Sequence, residues 1–184
     1  VTRLLALDVG ATVGYARGQL GDEPVHRTFR LQTSSVRDLL GARLDRFEEW
    51  LTDAFRAFGI TMVVMAERFH VRNTGEAAMS FGLDGIVRMV AYRHQARVLV
   101  QPEGTVRKEM LGRGSGPSDV MKQLAIDWCE RHGYRVESHH EADSLVLWTW
   151  TERELFHRSV TPSAVAPRRT PRSARSPAAA GTPG

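Results

Sequence analysis

The chain has 184 residues, 42% of them hydrophobic and 25% charged, with a mean hydropathy of -0.30, enough for one ordinary domain and a short appendage. No apolar run approaches the roughly 18–20 residues of a membrane span, and Asp8 closes the first apolar run too early for a secretory signal. The single cysteine, Cys129, excludes an intramolecular disulfide and cysteine-based zinc clusters, so a soluble protein of the reducing cytoplasm is expected.

The formal charge of +4 is unevenly distributed. From Arg158 onward there are five arginines and no acidic residue, whereas residues 1–157 hold 20 basic and 21 acidic side chains. The high pI therefore belongs to the end of the chain and is no argument that the domain binds nucleic acid. Residues 158–184 are rich in Pro, Ala, Arg, Ser and Thr without apolar periodicity, a composition expected to stay disordered. The folded domain is expected to span residues 1–157.

In chain order, Arg3–Val9 reads as a buried strand ending at Gly10. Gly14–Gln19 and Val25–Leu31 read as two more strands joined by a Gly-Asp-Glu-Pro turn. Val36, Leu40, Leu44, Phe47, Leu51, Phe55 and Phe58 follow helical spacing across 35–58, and Gly59 ends that helix. Thr61–Ala66 is apolar on both faces, as a central parallel strand is. A helix over 76–95, a strand over 96–101 and helices over 117–131 and 141–156 complete the order. This is a mixed α/β sheet whose first strands form a meander and whose later strands arrive by helical crossovers.

Three carboxylates stand out on that scaffold. Asp8 lies near the end of the first strand, Glu67 closes the fourth, and Asp143 falls in the first turns of the last helix. A carboxylate at the end of a buried strand is costly unless paired or bound to a cation. Two of them on neighbouring strands repel each other and invite a divalent metal. Magnesium accepts one or two carboxylates together with phosphate oxygens, and a metal pair can clamp both sides of a phosphodiester cleavage. Taken singly, Asp8 could cap a turn and Glu67 could meet Arg68 or Arg72; the set with this topology points to a metal-dependent nuclease.

Four segments carry a resemblance: LLALDVGATVGYARG at 4–18, VVMAERFHVRN at 63–73, VRKEMLGRGSG at 106–116 and HEADSLVLW at 140–148. Together they resemble the crossover-junction endodeoxyribonuclease family (RuvC-like Holliday junction resolvases), whose fold is RNase H-like, a mixed five-stranded sheet flanked by helices. The resemblance implies a homodimer that nicks four-way DNA junctions with Mg2+ or Mn2+, in DNA recombination and repair. It carries the metal-binding positions onto Asp8, Glu67, His140 and Asp143, and the DNA contacts onto Phe69, Arg72, Arg107, Lys108 and Lys122. Phe69 would stack on an unpaired base, worth ~1–3 kcal/mol, and Arg107 and Lys108 would lie near the scissile phosphate. The family's lysine after the Gly-rich loop is replaced here by Pro117-Ser118, leaving Lys122 one turn further on. The family's spacing also selects His140 over His139. Ser138-His139-His140-Glu141 reads as a capping box, which assigns Glu141 to the helix end and away from a metal.

The helix over 76–95 carries two apolar stripes, one of Ala78, Phe81, Gly85, Met89 and Tyr92, the other of Met79, Leu83, Ile86, Val87 and Val90. One stripe is expected to cover the sheet and the other a second copy of the chain, with Leu83 and Val87 in the contact between copies and Gly82 and Gly85 permitting close approach. Host recombination factors remain unspecified as partners. Other readings are a related nuclease acting on structured RNA (YqgF-like), an actin-like phosphotransferase, for which the domain is too short to hold a second lobe, and a catalytically silent DNA-binding relative.

Overall fold

The computed structural model describes residues 1–32, 39–67 and 74–160, with side chains to His157. Its elements are β1 (Arg3–Asp8), β2 (Thr12–Gln19), β3 (Val25–Arg30), α1 (Leu39–Phe58), β4 (Met62–Glu67), α2 (Thr74–Arg93), β5 (Arg97–Pro102), α3 (Glu103–Leu111), α4 (Ser118–Arg131) and α5 (His139–Val160). The five strands form one sheet in the order β3-β2-β1-β4-β5. β1, β2 and β3 pair antiparallel as a meander, while β4 joins β1 and β5 joins β4 in parallel. This is the mixed sheet expected from the alternation of strand and helix signals. Among the described residues, no helix is long and apolar enough to cross a membrane.

Strand alternation sends side chains to two cores. Leu5, Leu7, Val13, Val63 and Met65 face α1 and α2, where they meet Phe47, Leu51, Leu83 and Val87. Leu4, Ala6, Ala16, Met62 and Val64 face the other way, against Val106 of α3, Trp128 of α4 and Leu145 and Trp148 of α5. α1 buries Phe47, Leu51, Ala54 and Phe55, a spacing that repeats once per turn. It stops at Gly59, whose φ of 58° favours glycine, and the Arg3 guanidinium donates to the Phe58 carbonyl at 3.3 Å.

Several expectations are corrected. A nine-residue helix, α3, follows β5 directly, where the sequence reading placed no element. Only Val106 in it is buried, so it has no apolar period to read; its signals are Pro102-Glu103 at the start and left-handed Gly112 at the end. α5 runs to Val160, so residues 158–160, assigned to the tail, continue that helix. Residues 161–184 and 33–38 lie outside the described residues. On α2 the assignment of Leu83 and Val87 to a contact between copies is corrected: with Val90 they are buried against the sheet of the same chain, and Met89 of the other stripe packs on that core too, whereas Phe81 and Tyr92 are 72% and 85% exposed. Gly82, however, belongs to the interior, because a Cβ there would lie 2.8 Å from the Leu44 methyls of α1, while Gly85 faces open space.

Candidate active site

Parallel strands place their C-terminal ends on one rim of the sheet, which is where α/β proteins gather chemistry. Asp8 ends β1 and Glu67 ends β4. α5 begins over the same rim, with His139, His140 and Asp143 in its first turns. α3 and α4 supply the far wall. The result is one cleft of about 1210 Å³ whose lining includes Asp8, Glu67, Arg107, Lys108, Lys122, His140 and Asp143. All described members of the sequence-derived set thus share one cavity. Phe69 and Arg72 lie outside the described residues.

The sheet-borne and helix-borne halves meet at His140, whose Nδ1 is 2.7 Å from Asp8 Oδ2. Asp8 is 6% exposed, so its carboxylate is held by this imidazole in a largely dry position. The neighbouring His139 ring lies 4.0 Å from that of His140, centroid to centroid, and lines the same cleft. Asp143 is raised to about 7, chiefly by burial and then by the charge of Asp8, while Arg107 pulls it back. Glu67 departs from expectation. It is exposed at the end of β4, so the cost of burial falls on Asp8 and Asp143 and not on it.

Arg107 is the cation nearest this group. Its Nη2 is 2.6 Å from Glu103 and 3.4 Å from Asp143 Oδ1, and its Nε is buried without a hydrogen-bond partner among the described residues. The sequence reading missed Glu103. Its signal was the i,i+4 Glu-Arg pair at the start of a helix, which stayed hidden because the helix itself was not read. Lys108 and Lys122 are exposed on the cleft wall, and Ser118 of the Pro117-Ser118 pair lines it too. α3 is fastened to α5 by Glu109, which accepts from the indole Nε1 of Trp150 and from Arg153, each at 2.7 Å.

The capping assignment is modified in one detail. The Ser138 hydroxyl accepts from the Glu141 amide at 3.2 Å, as expected of an N-cap. The Glu141 carboxylate, however, accepts from the amide of Glu137 at 2.7 Å and lies 3.9 Å from His26 Nδ1. Glu141 is 1% exposed and turned away from the cleft, so it is structural. Cys129 is buried beside this helix, and burial followed by the nearby carboxylates pushes its thiol up to about 12, which leaves it unreactive.

Among the described residues, no three His, Cys, Asp or Glu side chains are gathered as a ready-made metal-ligand group. Each instead leans on a protein partner: Asp8 on His140, Asp143 on Arg107. The donors nonetheless suit a hard divalent cation, being carboxylate oxygens with one imidazole. Asp143 supplies the test of fit, because a carboxyl raised by burial and by a second carboxylate is relieved when a cation joins them.

No protein-family model matches the chain, and no curated protein sequence matches it. Solved structures do. The fold is an RNase H-like mixed sheet flanked by helices, and within that class it is RuvC-like. It is similar to Thermus thermophilus RuvC in complex with a Holliday junction substrate, with a TM-score of 0.64 at 14% identity over 87% of this chain and 97% of that one. A second T. thermophilus RuvC structure gives 0.61 at 16% identity, over 86% and 96% of the two chains. The yeast mitochondrial Holliday junction resolvase Ydc2 gives 0.57 at 15% identity, over 85% and 81%.

Proposed function

We propose that this protein is a divalent-metal-dependent endonuclease that cleaves branched DNA, with four-way junctions as its substrate. The observation that carries the reading is the single cleft that unites Asp8, Glu67, His140 and Asp143 with Arg107, Lys108 and Lys122, on a fold shared with a resolvase solved on a Holliday junction. Acidic and basic side chains lining one groove suit a phosphodiester, whose oxygens need cations and whose attacking water needs activation.

Asp8, Glu67, His140 and Asp143 would hold Mg2+ or Mn2+, which when bound supplies Lewis-acid activation of the phosphate and of a water nucleophile. His140 orients Asp8 through their 2.7 Å contact. Arg107, anchored on Glu103, holds a positive charge beside Asp143, where it offsets the negative charge of the substrate phosphate. Lys108 and Lys122 extend that positive wall outward as contacts to the DNA backbone, which position the substrate without reading sequence.

The proposed enzyme is a homodimer, as the two-fold character of a four-way junction requires if both strands are to be nicked symmetrically. Ala78, Phe81, Gly85 and Tyr92 on the outer face of α2 are the surface for this contact, since the two aromatics are exposed and Gly85 has open space above it.

The deciding experiment presents purified protein with labelled four-way junction, linear duplex, flap and structured RNA, with and without Mg2+. Mg2+-dependent nicking confined to branched DNA is the expected result. Cleavage of structured RNA with no preference for junctions would favour an RNA-processing enzyme, and junction binding without cleavage in Mg2+ or Mn2+ would make it a silent binding protein.

A further inference from the structure

β2 presents Gly14, Ala16 and Gly18 to α5, a track of small residues on which the helix lies. Ala16 belongs to the core shared with α5, and the two glycines that flank it differ sharply in what stands above them. At Gly18 an added Cβ would make ordinary contact, 3.5 Å from Pro24 and from the Trp148 ring. At Gly14 an added Cβ would overlap the main-chain carbonyl of His140 and lie 3.0 Å from its Cα. Backbone cannot swing aside as a side chain can. Gly14 also pairs directly with Asp8 across the β1–β2 ladder, so this close approach of α5 to the sheet backbone lies beside the carboxylate that His140 reaches.

We infer that Gly14 is a positioning residue: by letting the first turn of α5 rest on bare backbone, it sets the separation between Asp8 on the sheet and His140 on the helix. A methyl group there would force the helix start outward by roughly 1.5 Å, the gap between overlap and normal van der Waals contact. The 2.7 Å contact between His140 Nδ1 and Asp8 would then leave hydrogen-bond range. Asp8 and Glu67 would stay where the sheet holds them. The cleavage part of the inference rests on the proposed nuclease function; the geometry does not.

The test compares the full-length wild type with Gly14→Ala, Gly18→Ala, His140→Ala and the Gly14→Ala/His140→Ala double variant. Three readouts are taken on each protein that melts cooperatively: the His140 tautomer by nitrogen-detected NMR without metal, Mn2+ affinity by electron paramagnetic resonance, and cleavage of a labelled four-way junction. In wild type and Gly18→Ala, His140 should hold its proton on Nδ1 against Asp8, and Gly14→Ala should lose that preference. Gly14→Ala should weaken Mn2+ binding, cut about 100-fold more slowly, as a misplacement of about 1 Å does, and bind junctions normally. Adding Gly14→Ala to His140→Ala should cost far less than Gly14→Ala costs alone, because the two act on the same contact. The inference is overturned if Gly14→Ala folds and keeps wild-type tautomer and Mn2+ affinity, if the two losses multiply in full, if Gly18→Ala is as damaging, or if Gly14→Ala does not fold, which would make the glycine a requirement of the fold instead of the site. A wild type that cuts no branched DNA would end the nuclease reading, yet the tautomer comparison would still judge Gly14.

Discussion

The two faces of the sheet are built from the same strands but do opposite work. On the α1–α2 face every buried side chain of the core is apolar, with Leu5, Leu7, Val63 and Met65 packed against Phe47, Leu51, Leu83 and Val87. On the α3–α5 face the apolar core is interrupted. All four buried polar or charged residues among those described, Asp8, Glu141, Ser144 and Thr151, lie there, on β1 or α5. Each is held locally: Asp8 by His140, Glu141 by the Glu137 amide, and the two hydroxyls by carbonyls one turn back at 2.8 Å. A face that buries only hydrocarbon stabilises the sheet at roughly 25 cal/mol per Å². That surplus lets the other face keep carboxylates close together in a dry setting, which is unfavourable for folding and useful for chemistry.

The sharpest way to break this division is Asp8→Asn. If the α3–α5 face carries the chemistry, cleavage in Mg2+ should fall by about three decades, the equivalent of several kcal/mol of lost transition-state stabilisation, while junction binding measured by gel shift stays near wild type. Comparable cleavage by Asp8→Asn and wild type would remove the metal-site assignment. His140→Asp should retain Mg2+-dependent cutting, with a lower Mn2+/Mg2+ activity ratio than wild type because imidazole prefers Mn2+.

The α1–α2 face is challenged by moving one charge across α2. Leu83→Glu places a carboxylate in the fully buried layer and should cost several kcal/mol, abolishing cooperative melting. Phe81→Glu or Tyr92→Glu, on the exposed stripe, should leave the melting curve nearly unchanged and yield monomers in sedimentation, under conditions where the wild type, on the proposed reading, should run as a dimer. A folded wild-type monomer at micromolar concentration would make the exposed aromatics something other than a self-association surface.

How far the sequence carried these conclusions depended on what kind of signal each residue gives. Strands and long helices were legible because burial on a fixed face imposes a period, as Phe47, Leu51 and Phe55 show in α1. The carboxylates were legible because an acid at the end of an apolar run, such as Asp8, contradicts its surroundings. α3 was not, since it buries only Val106 and is held by polar contacts such as Glu109 to Trp150, which leave no periodic trace. With it went Glu103, and so the ion pair that fixes Arg107. The exposure of Glu67 was equally invisible, because a strand reads the same one residue before and after it leaves the sheet's rim. The role of Gly14 was hidden for another reason: the atom it makes room for belongs to His140, at the far end of the folded chain.

A smaller effect follows from Asp143, whose ordinary value of 3.8 is raised to about 7 by burial and by Asp8. Because the folded value lies above the unfolded one, this group's contribution to stability is fully present below about pH 4 and is lost as pH rises through 7. In metal-free protein, Asp143→Asn should therefore raise the melting temperature at pH 8 and give no gain near pH 4. A stabilisation of order a few kcal/mol at most is expected, since each tenfold change in a proton-binding equilibrium is worth ~1.4 kcal/mol. Equal gains at both pH values would show that the effect comes from packing and not from charge.

The mildest expected effect concerns the outer wall of the cleft and the departure at Pro117-Ser118. Ser118 begins α4 and Lys122 follows one turn later, both lining the cleft, with the lysine exposed. A lysine so placed touches a backbone phosphate as a point charge, without the geometry to read a base. Lys122→Ala should accordingly weaken binding to every junction sequence alike, by less than about tenfold, and reduce the slope of log affinity against log salt by about 0.9, the release of one counterion. Ser118→Lys, which adds a cation to the cleft wall one turn before Lys122, should steepen that slope by a similar amount. If it also speeds cleavage beyond the gain in binding, the cation at 118 acts on the transition state, and the wild-type chain lacks part of that assistance. A Lys122→Ala protein with an unchanged salt slope would place Lys122 off the DNA path, leaving Arg107 and Lys108 to form the positive wall.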